Sequence, residues 1–303
     1  MNKTVLITGA SGLIGRPLTE LLIKKGYIVH QLSRSISKAN SGVKVFKWDV
    51  SRMEIDANCI EGVDTIINLA GEGIADKAWT PKRKQEIISS RTGAIKLLHD
   101  TLKNTPGHTV KTFISSSAVG HYGDRKDEIL SEESEPGTDF MANTCLAWER
   151  ATDKITNLGI RLVTFRTGVV LSPYGGALPK LIKPLKIGLG AALGSGKQWV
   201  PWIHTEDVVN MFLYAMENEG VHGVYNMTSP FPATNLDLTR ALARQLKKPL
   251  WLPSVPSIAL RIALGELSAA VLNSNRTTCD KIVEAGFKFK FPKLECALSD
   301  LYD

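Results

Sequence analysis

The feature that most constrains this chain is a glycine-rich turn that joins an apolar run to a helical pattern. Residues 4–8 are apolar and rich in β-branched side chains, which predicts a buried strand. The turn that follows, residues 9–15, has the sequence GASGLIG, and residues 16–25 then place leucines at helical spacing. After Gly26, residues 27–32 predict a second strand. This order of elements is a βαβ unit of the kind that binds a dinucleotide.

Each glycine of the turn has its own predicted task. Gly9 permits the tight turn after the strand, Gly12 lets the backbone approach a pyrophosphate, and Gly15 lets the helix pack against the strand. The N-terminus of the helix adds free N–H groups and the positive end of a dipole. A turn that binds nothing is the alternative, and it accounts less well for the complete βαβ unit. The predicted cofactor contacts in the turn are Gly9, Ser11, Gly12, Leu13, Ile14 and Gly15.

The end of the second strand indicates which dinucleotide is bound. An acidic residue there would bind the ribose 2′-hydroxyl of NAD, but residues 31–40 contain no carboxylate. Arg34 can instead bind a 2′-phosphate through two N–H groups, with Ser33 or Ser35 adding a hydroxyl donor. The sequence therefore favours NADP over NAD. The alternative is that Arg34 is only a solvated side chain at the strand end.

Composition and charge argue against several other classes of protein. The 303 residues are 43% hydrophobic and 22% charged, which is typical of a globular protein. No apolar run is long enough to span a membrane, and the first strand begins too early to leave room for a signal peptide. The four cysteines have no metal-binding spacing, so we expect no metal site and a reducing, cytoplasmic setting. The net charge of +7 is spread along the chain, which makes nucleic acid a minor hypothesis.

Predicted strands and helices alternate through the first two thirds of the chain. This alternation predicts an α/β fold, a Rossmann-type doubly wound parallel sheet covered by helices on both faces. We expect the dinucleotide-binding domain to comprise residues 1–170 and 199–227. Residues 171–198 and 228–303 would then form a smaller, C-terminal α+β domain on the substrate side. The apolar stretch 250–272 would cover that side or make a subunit contact, for example in a homodimer.

Several motifs resemble the extended short-chain dehydrogenase/reductases, and together they resemble an atypical, epimerase-like branch of that superfamily. The glycine turn has its long spacing, and Asn68-Leu69-Ala70-Gly71 is similar to its Asn-Asn-Ala-Gly element. The segments 117–123 and 189–207 also match, so the resemblance covers essentially the whole chain. It implies an NADP-binding protein acting on a nucleotide sugar or another small carbonyl or hydroxyl substrate. It also implies cofactor contacts at Asp49, Val50, Leu69, Ala70, Gly71, Ser115, Thr167, Gly168 and Val169.

Two of these implications need qualification. Asp49 at the end of the third strand would meet the adenine amino group, but capping the turn before Ser51 is an equally good interpretation. The superfamily's catalytic tyrosine and lysine lie four residues apart on one helix, with a glutamate four residues further on. Taking Glu149 as that glutamate puts Met141 and Cys145 at their positions. The usual pair is therefore absent from this helix.

The chemistry consequently stays open between three classes. An NADP-dependent oxidoreductase or epimerase would need another proton donor. The candidates are Ser117, which matches the superfamily's serine, and Tyr122. A non-catalytic NADP-binding protein, regulatory or redox-sensing, is the alternative, and a nucleic-acid binder comes third.

Overall fold

The computed structural model describes residues 3–35 and 42–302. The strands that the sequence predicted through residue 167 are present, with ends that shift by one or two residues. In the described part of the chain the strands are β1 (Thr4–Thr8), β2 (Ile28–Ser33), β3 (Val43–Asp49), β4 (Glu54–Ile55), β5 (Val63–Asn68), β6 (Thr112–Ala118), β7 (Ile129–Leu130), β8 (Arg161–Thr167), β9 (Val169–Leu171), β10 (Trp199–Val200), β11 (Trp202–His204), β12 (Gly223–Met227), β13 (Ala233–Thr234) and β14 (Arg276–Thr277).

The helices begin where the local sequence offers a start. Pro81 begins the longest helix, and the side chain of Thr80 caps it by accepting from Arg83 N. Asp139 caps the next helix by accepting from Ala142 N. The described helices are α1 (Gly15–Lys24), α2 (Pro81–Lys103), α3 (Phe140–Asp153), α4 (Leu178–Lys186), α5 (Thr205–Glu217), α6 (Asn235–Gln245), α7 (Ser257–Leu264), α8 (Ala269–Leu272), α9 (Asp280–Glu284) and α10 (Leu294–Tyr302).

The central sheet has the strand order β12-β8-β6-β5-β1-β2-β3-β4. Neighbouring strands are parallel except for the terminal pair β3 and β4. From β1 the chain builds first towards β2 and β3, and later returns to add β5 on the other side of β1. The strand order therefore reverses between β1 and β5, and a ligand binds outside the carboxyl ends of the strands at such a point. The predicted α/β class and doubly wound parallel sheet are confirmed.

Both faces of the sheet are covered by helices. On one face Leu18 and Leu22 of α1 pack with Phe212 of α5 over the buried side chains of β1 and β8. On the other face α2 and α3 contribute Leu98 and Trp148 to a second cluster. A third, smaller cluster joins α4, α6 and α10. The division into two domains at the residues predicted above stays a prediction.

Helix α7 buries none of its own residues, as does the short helix α8 that follows it. Ile258 and Ile262 are exposed to 69% and 83%, and Trp251 just before the helix to 67%. These exposed side chains lie within the stretch that the sequence marked as apolar. Within the described residues no helix combines the length and the apolar character needed to cross a bilayer.

Candidate functional site

The glycine turn lies between the ends of β1 and β5, at the point where the strand order reverses. Gly9 has φ +68°, and a Cβ placed on it would lie 2.8 Å from Leu69 O. A Cβ on Gly15 would lie 2.6 Å from Ala10 Cα, so the first turn of α1 contacts the glycine turn directly. Neither position has space for a side chain, because the chain just after β5 crowds Gly9 and the glycine turn itself crowds Gly15. Gly12, between them, is exposed.

The N-terminus of α1 opens onto this turn without a side-chain cap. Ile14 is the N-cap residue and makes no side-chain hydrogen bond, and the first helical turn carries no acidic residue. Arg16 Nε donates to Ser11 O at 2.9 Å and holds the turn from outside. Leu13 and Ile14 are half-buried against the core. Uncapped N–H groups at the positive end of a helix fit a pyrophosphate. In the cradle formed by Gly9, Gly12 and Gly15, the exposed Gly12 leaves room for it.

The end of β2 carries the residues that were predicted to bind the 2′-phosphate of the cofactor. Arg34 is exposed, and among the described residues no carboxylate pairs with its guanidinium. Ser33 Oγ accepts from Ser35 N at 3.3 Å, which leaves its hydroxyl hydrogen available to a ligand. A cation and a hydroxyl donor therefore stand at the strand end where a 2′-phosphate would lie.

Asp49 is engaged in its own turn. Its Oδ1 accepts from Ser51 Oγ at 2.6 Å, from Ser51 N at 2.9 Å and from Arg52 N at 3.3 Å. These hydrogen bonds, led by the one from the Ser51 hydroxyl, lower the pKa of Asp49. Of the two interpretations of Asp49, the turn cap is the one that the side chain adopts. A contact of Asp49 or of the half-buried Val50 with the adenine stays a prediction.

Thr8, which the sequence predicted only as part of β1, holds the end of β5 in place. Thr8 Oγ1 donates to Asn68 Oδ1 at 2.8 Å and accepts from the backbone N–H groups of Leu69 and Ala70, both at 3.1 Å. The two strands that flank the reversal point are thereby locked together at their carboxyl ends. Leu69 and Ala70 are half-buried and Gly71 is exposed, as contacts at the mouth of a crevice require.

On the far side of β5, α3 presents uncharged side chains to the exit of β6. Met141 Cβ would lie 3.2 Å from a Cβ placed on Gly120, and Cys145 Sγ lies 3.5 Å from Ala118 O. Burial raises the pKa of Cys145 to about 12, so its thiol stays neutral at physiological pH. These two positions therefore offer neither an acid nor a cation.

One tyrosine and one lysine of the chain do have the superfamily's spacing, but they are not on a helix. Tyr122 ends a short 3-10 turn, and Lys126 follows in a loop with φ +55°. The Lys126 ammonium is paired with Asp124, and its side chain is 79% exposed. Because Tyr122 is fully buried and Lys126 points into solvent, the two do not form a proton-transfer pair.

Ser117 lies in a buried ionic network rather than on an open surface. Its hydroxyl donates to Glu149 Oε1 at 2.6 Å. Glu149 in turn accepts from Arg166 Nε at 3.0 Å and from Arg166 Nη2 at 2.9 Å, a bidentate pair in which both side chains are buried. His121 Nδ1 is 3.4 Å from Glu149 Oε2, yet burial lowers the pKa of His121 to about 4. Ser117 itself is 3% exposed.

Tyr122 belongs to the same network and is 0% exposed. Its hydroxyl donates to Asn226 Oδ1 at 2.7 Å and accepts from Arg166 Nη1 at 3.1 Å. Burial raises the pKa of Tyr122 above its ordinary value. The structure thus brings the two predicted catalytic hydroxyls together, but inside the protein. This placement argues for a structural role and against Tyr122 as the proton donor. Sequence reasoning missed Arg166 and Asn226. For Arg166, a charged residue in a largely apolar strand was the available signal.

The remaining predicted contacts divide into buried and half-buried positions. Ser115 is fully buried, and its hydroxyl donates to Ser116 O, so its side chain does not face the crevice. Thr167, Gly168 and Val169 are half-buried at the exit of β8. Val169 N donates to Pro201 O at 2.7 Å, which holds this exit against the following chain. A contact of these three residues with a ligand stays a prediction.

His204, Glu206 and Asp300 resemble a set of metal ligands, but His204 caps a helix and Glu206 forms an ion pair with a lysine. His204 Nδ1 accepts from Glu206 N at 3.2 Å and caps α5. The neutral ring therefore carries its hydrogen on Nε2, which lies 3.4 Å from Asp300 Oδ2. Glu206 is paired with Lys290 at 2.8 Å. Because Nδ1 accepts a hydrogen bond and Nε2 carries the hydrogen, the neutral ring has no free lone pair for a metal ion, and the cluster does not fit one.

The fold, the glycine cradle and the uncapped helix together define a dinucleotide-binding protein of the Rossmann type. Comparison with known families makes this more specific. The chain belongs to the NAD dependent epimerase/dehydratase family, whose model matches residues 5–228. Residues 255–301 match a domain of unknown function, DUF1731. The resemblance to an atypical epimerase-like branch is thereby confirmed.

Relatives match over nearly the full length. The epimerase family protein YfhF of Bacillus subtilis is 37% identical over 301 residues, which cover 98% of this chain and 97% of YfhF. The crystal structure of the human epimerase family protein SDR39U1 with NADPH has a TM-score of 0.87 at 29% identity, covering 99% of both chains. A nucleoside-diphosphate sugar epimerase from Corynebacterium glutamicum has a TM-score of 0.80 at 33% identity, covering 100% of this chain and 59% of that protein.

Proposed function

We propose that this protein binds NADP(H) in preference to NAD(H). The glycine turn and the uncapped N-terminus of α1 would serve either dinucleotide. The observation that carries the preference is the exposed Arg34 at the end of β2, which no carboxylate of the described residues pairs with. Arg34 and Ser33 at the end of β2 would hold the 2′-phosphate. The human relative named with NADPH supports the same choice.

We further propose that the substrate is a small carbonyl or hydroxyl compound. NADPH, when bound, supplies a hydride, and the chain must then position the acceptor and provide a proton. The half-buried exits of β5 and β8 would line the substrate side of the crevice. A nucleotide sugar is the first class to test, because a relative of 33% identity is named a nucleoside-diphosphate sugar epimerase.

A second candidate is a protein that binds NADP(H) without catalysing a reaction. Met141 and the neutral thiol of Cys145 favour it, as does the burial of Tyr122. The catalytic roles of Ser117 and Tyr122 remain predictions. Single-turnover oxidation of bound NADPH against a panel of carbonyl compounds and nucleotide sugars distinguishes the two candidates. Oxidation by any of them supports an enzyme, and none across a broad panel supports the non-catalytic protein.

Calorimetric titration with NADPH and NADH tests the cofactor itself. A charge-assisted contact contributes roughly 1.5–3 kcal/mol, so we expect a preference for NADPH of about tenfold or more. Arg34→Ala should remove most of that preference. Arg240→Ala is the matched control, because this arginine is also exposed but lies on α6, outside the proposed site. Equal affinity of the wild type for both cofactors would refute the preference.

A further inference from the structure

A cation from the middle of α2 reaches the mouth of the crevice. The side chain of Arg91 lies against the exposed Gly71, just beyond the end of β5. A Cβ placed on Gly71 would be 3.1 Å from Arg91 Cζ and 3.4 Å from Arg91 Nε. The guanidinium therefore lies at the carboxyl edge of the sheet, where the fold places its ligand.

The surroundings of Arg91 leave most of its hydrogen-bonding capacity unused. The guanidinium stacks on the indole of Trp148, with Cζ 5.0 Å from the ring centroid. Nη1 donates to Ile87 O at 2.9 Å, a carbonyl of its own helix. Within the described part of the chain no carboxylate forms an ion pair with it. Arg83, on the same helix, is in contrast paired with both Glu72 and Glu86.

Such a cation is costly to keep without a partner. Desolvation lowers the pKa of Arg91, yet a guanidinium remains protonated in proteins, so the side chain is a half-buried positive charge. Removing water from a charge without supplying a counter-charge destabilises the folded state. Binding sites commonly retain a residue at the expense of stability, and a guanidinium beside an exposed glycine suits an oxygen-rich ligand.

The topology indicates which half of a dinucleotide would meet Arg91. A dinucleotide crosses the reversal point between β1 and β5. On the β2 side, Arg34 is the proposed partner of the 2′-phosphate, and this assigns the adenosine half to that side. Arg91 lies beyond β5, on the opposite side. Cys145 of α3 interacts with Arg91 electrostatically and is a neutral thiol. Glu72 also acts on Arg91, but its carboxylate is paired with Arg83.

We propose that Arg91 binds acceptor oxygens in the nicotinamide-ribose half of NADP(H), as the cation of a site where Met141 and Cys145 of α3 occupy the positions of the superfamily's tyrosine and lysine. The inference rests on the proposed function, since it requires that NADP(H) binds in this crevice. The ligand oxygens compensate for the missing carboxylate. Ligand-free protein with Arg91 replaced by a neutral side chain should consequently be at least as stable as the wild type.

The experiment compares two ligands that share the adenosine half. NADPH contains the nicotinamide ribose and its phosphate, whereas adenosine 2′,5′-bisphosphate lacks both. Arg91→Met should weaken NADPH binding by about ten- to hundredfold, as expected for a lost charge-assisted contact, and leave the affinity for the bisphosphate unchanged. Arg34→Ala should weaken both ligands. Arg150→Met, at an exposed arginine on α3, is the matched control and should change neither affinity.

The outcomes separate the inference from the proposal on which it rests. Wild type that binds neither ligand overturns the proposed function. Wild type that binds both, with an Arg91→Met variant that binds NADPH equally well, overturns the role of Arg91 alone. An equal loss of both ligands in that variant overturns it too, because the effect then is not confined to the nicotinamide half. Arg91→Gln, with the same expected results, replaces Arg91→Met if the methionine variant does not fold.

Discussion

The substitution Tyr122→Phe distinguishes a structural phenol from a catalytic one. It removes a single hydroxyl and keeps the ring. The ring lies under the Arg166 guanidinium, with its centroid 5.2 Å from Arg166 Cζ, and packs edge-on against His121. The change therefore isolates the two hydrogen bonds of the hydroxyl from the packing of the aromatic side chain. We expect a loss of stability with no loss of cofactor binding.

The magnitude follows from which partners are left unsatisfied. Arg166 Nη1 retains a second acceptor, Glu132 O at 2.9 Å, so it loses little. Asn226 Oδ1 loses the donor at 2.7 Å that the Tyr122 hydroxyl provides, and Asn226 is 0% exposed. Leaving one buried acceptor unpaired costs about 1–3 kcal/mol. The free energy of unfolding should fall by that amount.

Unfolding in guanidinium chloride measures the change in stability, provided that the slope of the unfolding free energy against denaturant concentration is unchanged. Titration with NADPH measures the affinity for the cofactor. Tyr174→Phe is the control, because Tyr174 is 93% exposed and its hydroxyl should matter by less than about 0.5 kcal/mol. The structural interpretation fails if Tyr122→Phe keeps wild-type stability and lowers hydride transfer by about 10²–10⁴-fold, the usual contribution of a general acid.

Three further changes test the network and the cradle. Glu149→Gln leaves the buried Arg166 without its carboxylate and should cost about 3–5 kcal/mol in chemical denaturation; a loss below about 1 kcal/mol would show that the pair is not stabilising. Burial lowers the pKa of His121 to about 4, so the unfolded chain binds more protons below its ordinary pKa of about 6.5. Stability should therefore fall as the pH drops from about 6.5 to 4, by up to about 3 kcal/mol for this group, and His121→Gln should reduce that slope; an unchanged slope contradicts the assignment. Gly12→Val should abolish NADPH binding and keep the circular dichroism spectrum, because the exposed Gly12 lies where the backbone would meet the pyrophosphate; retained affinity would contradict the cradle.

Much of the fold and part of the site follow from local sequence alone. Hydrophobic periodicity and turn chemistry depend on neighbouring residues, so the strands, the capped start of α2 at Pro81 and the glycine turn are all predictable. The same holds for Arg34, because its place at the end of β2 depends only on where that strand ends. Local pattern left Asp49 undecided, since a carboxylate at a strand end can cap a turn or bind a ligand, and only its hydrogen bonds distinguish the two.

Contacts between distant residues were decided by the tertiary structure. A motif indicated Ser117 as catalytic and proximity along the chain indicated Tyr122, but neither specifies which way a side chain points. The strand order and the rotation of α3 bring Glu149 and Arg166 to these hydroxyls and bury all four side chains. Arg91 is a similar case: helical spacing places it on α2, yet its approach to Gly71 depends on how that helix lies across the sheet. Side-chain direction relative to a distant strand is a property of packing, so the sequence determined the cofactor cradle and the tertiary structure decided which polar groups can reach it.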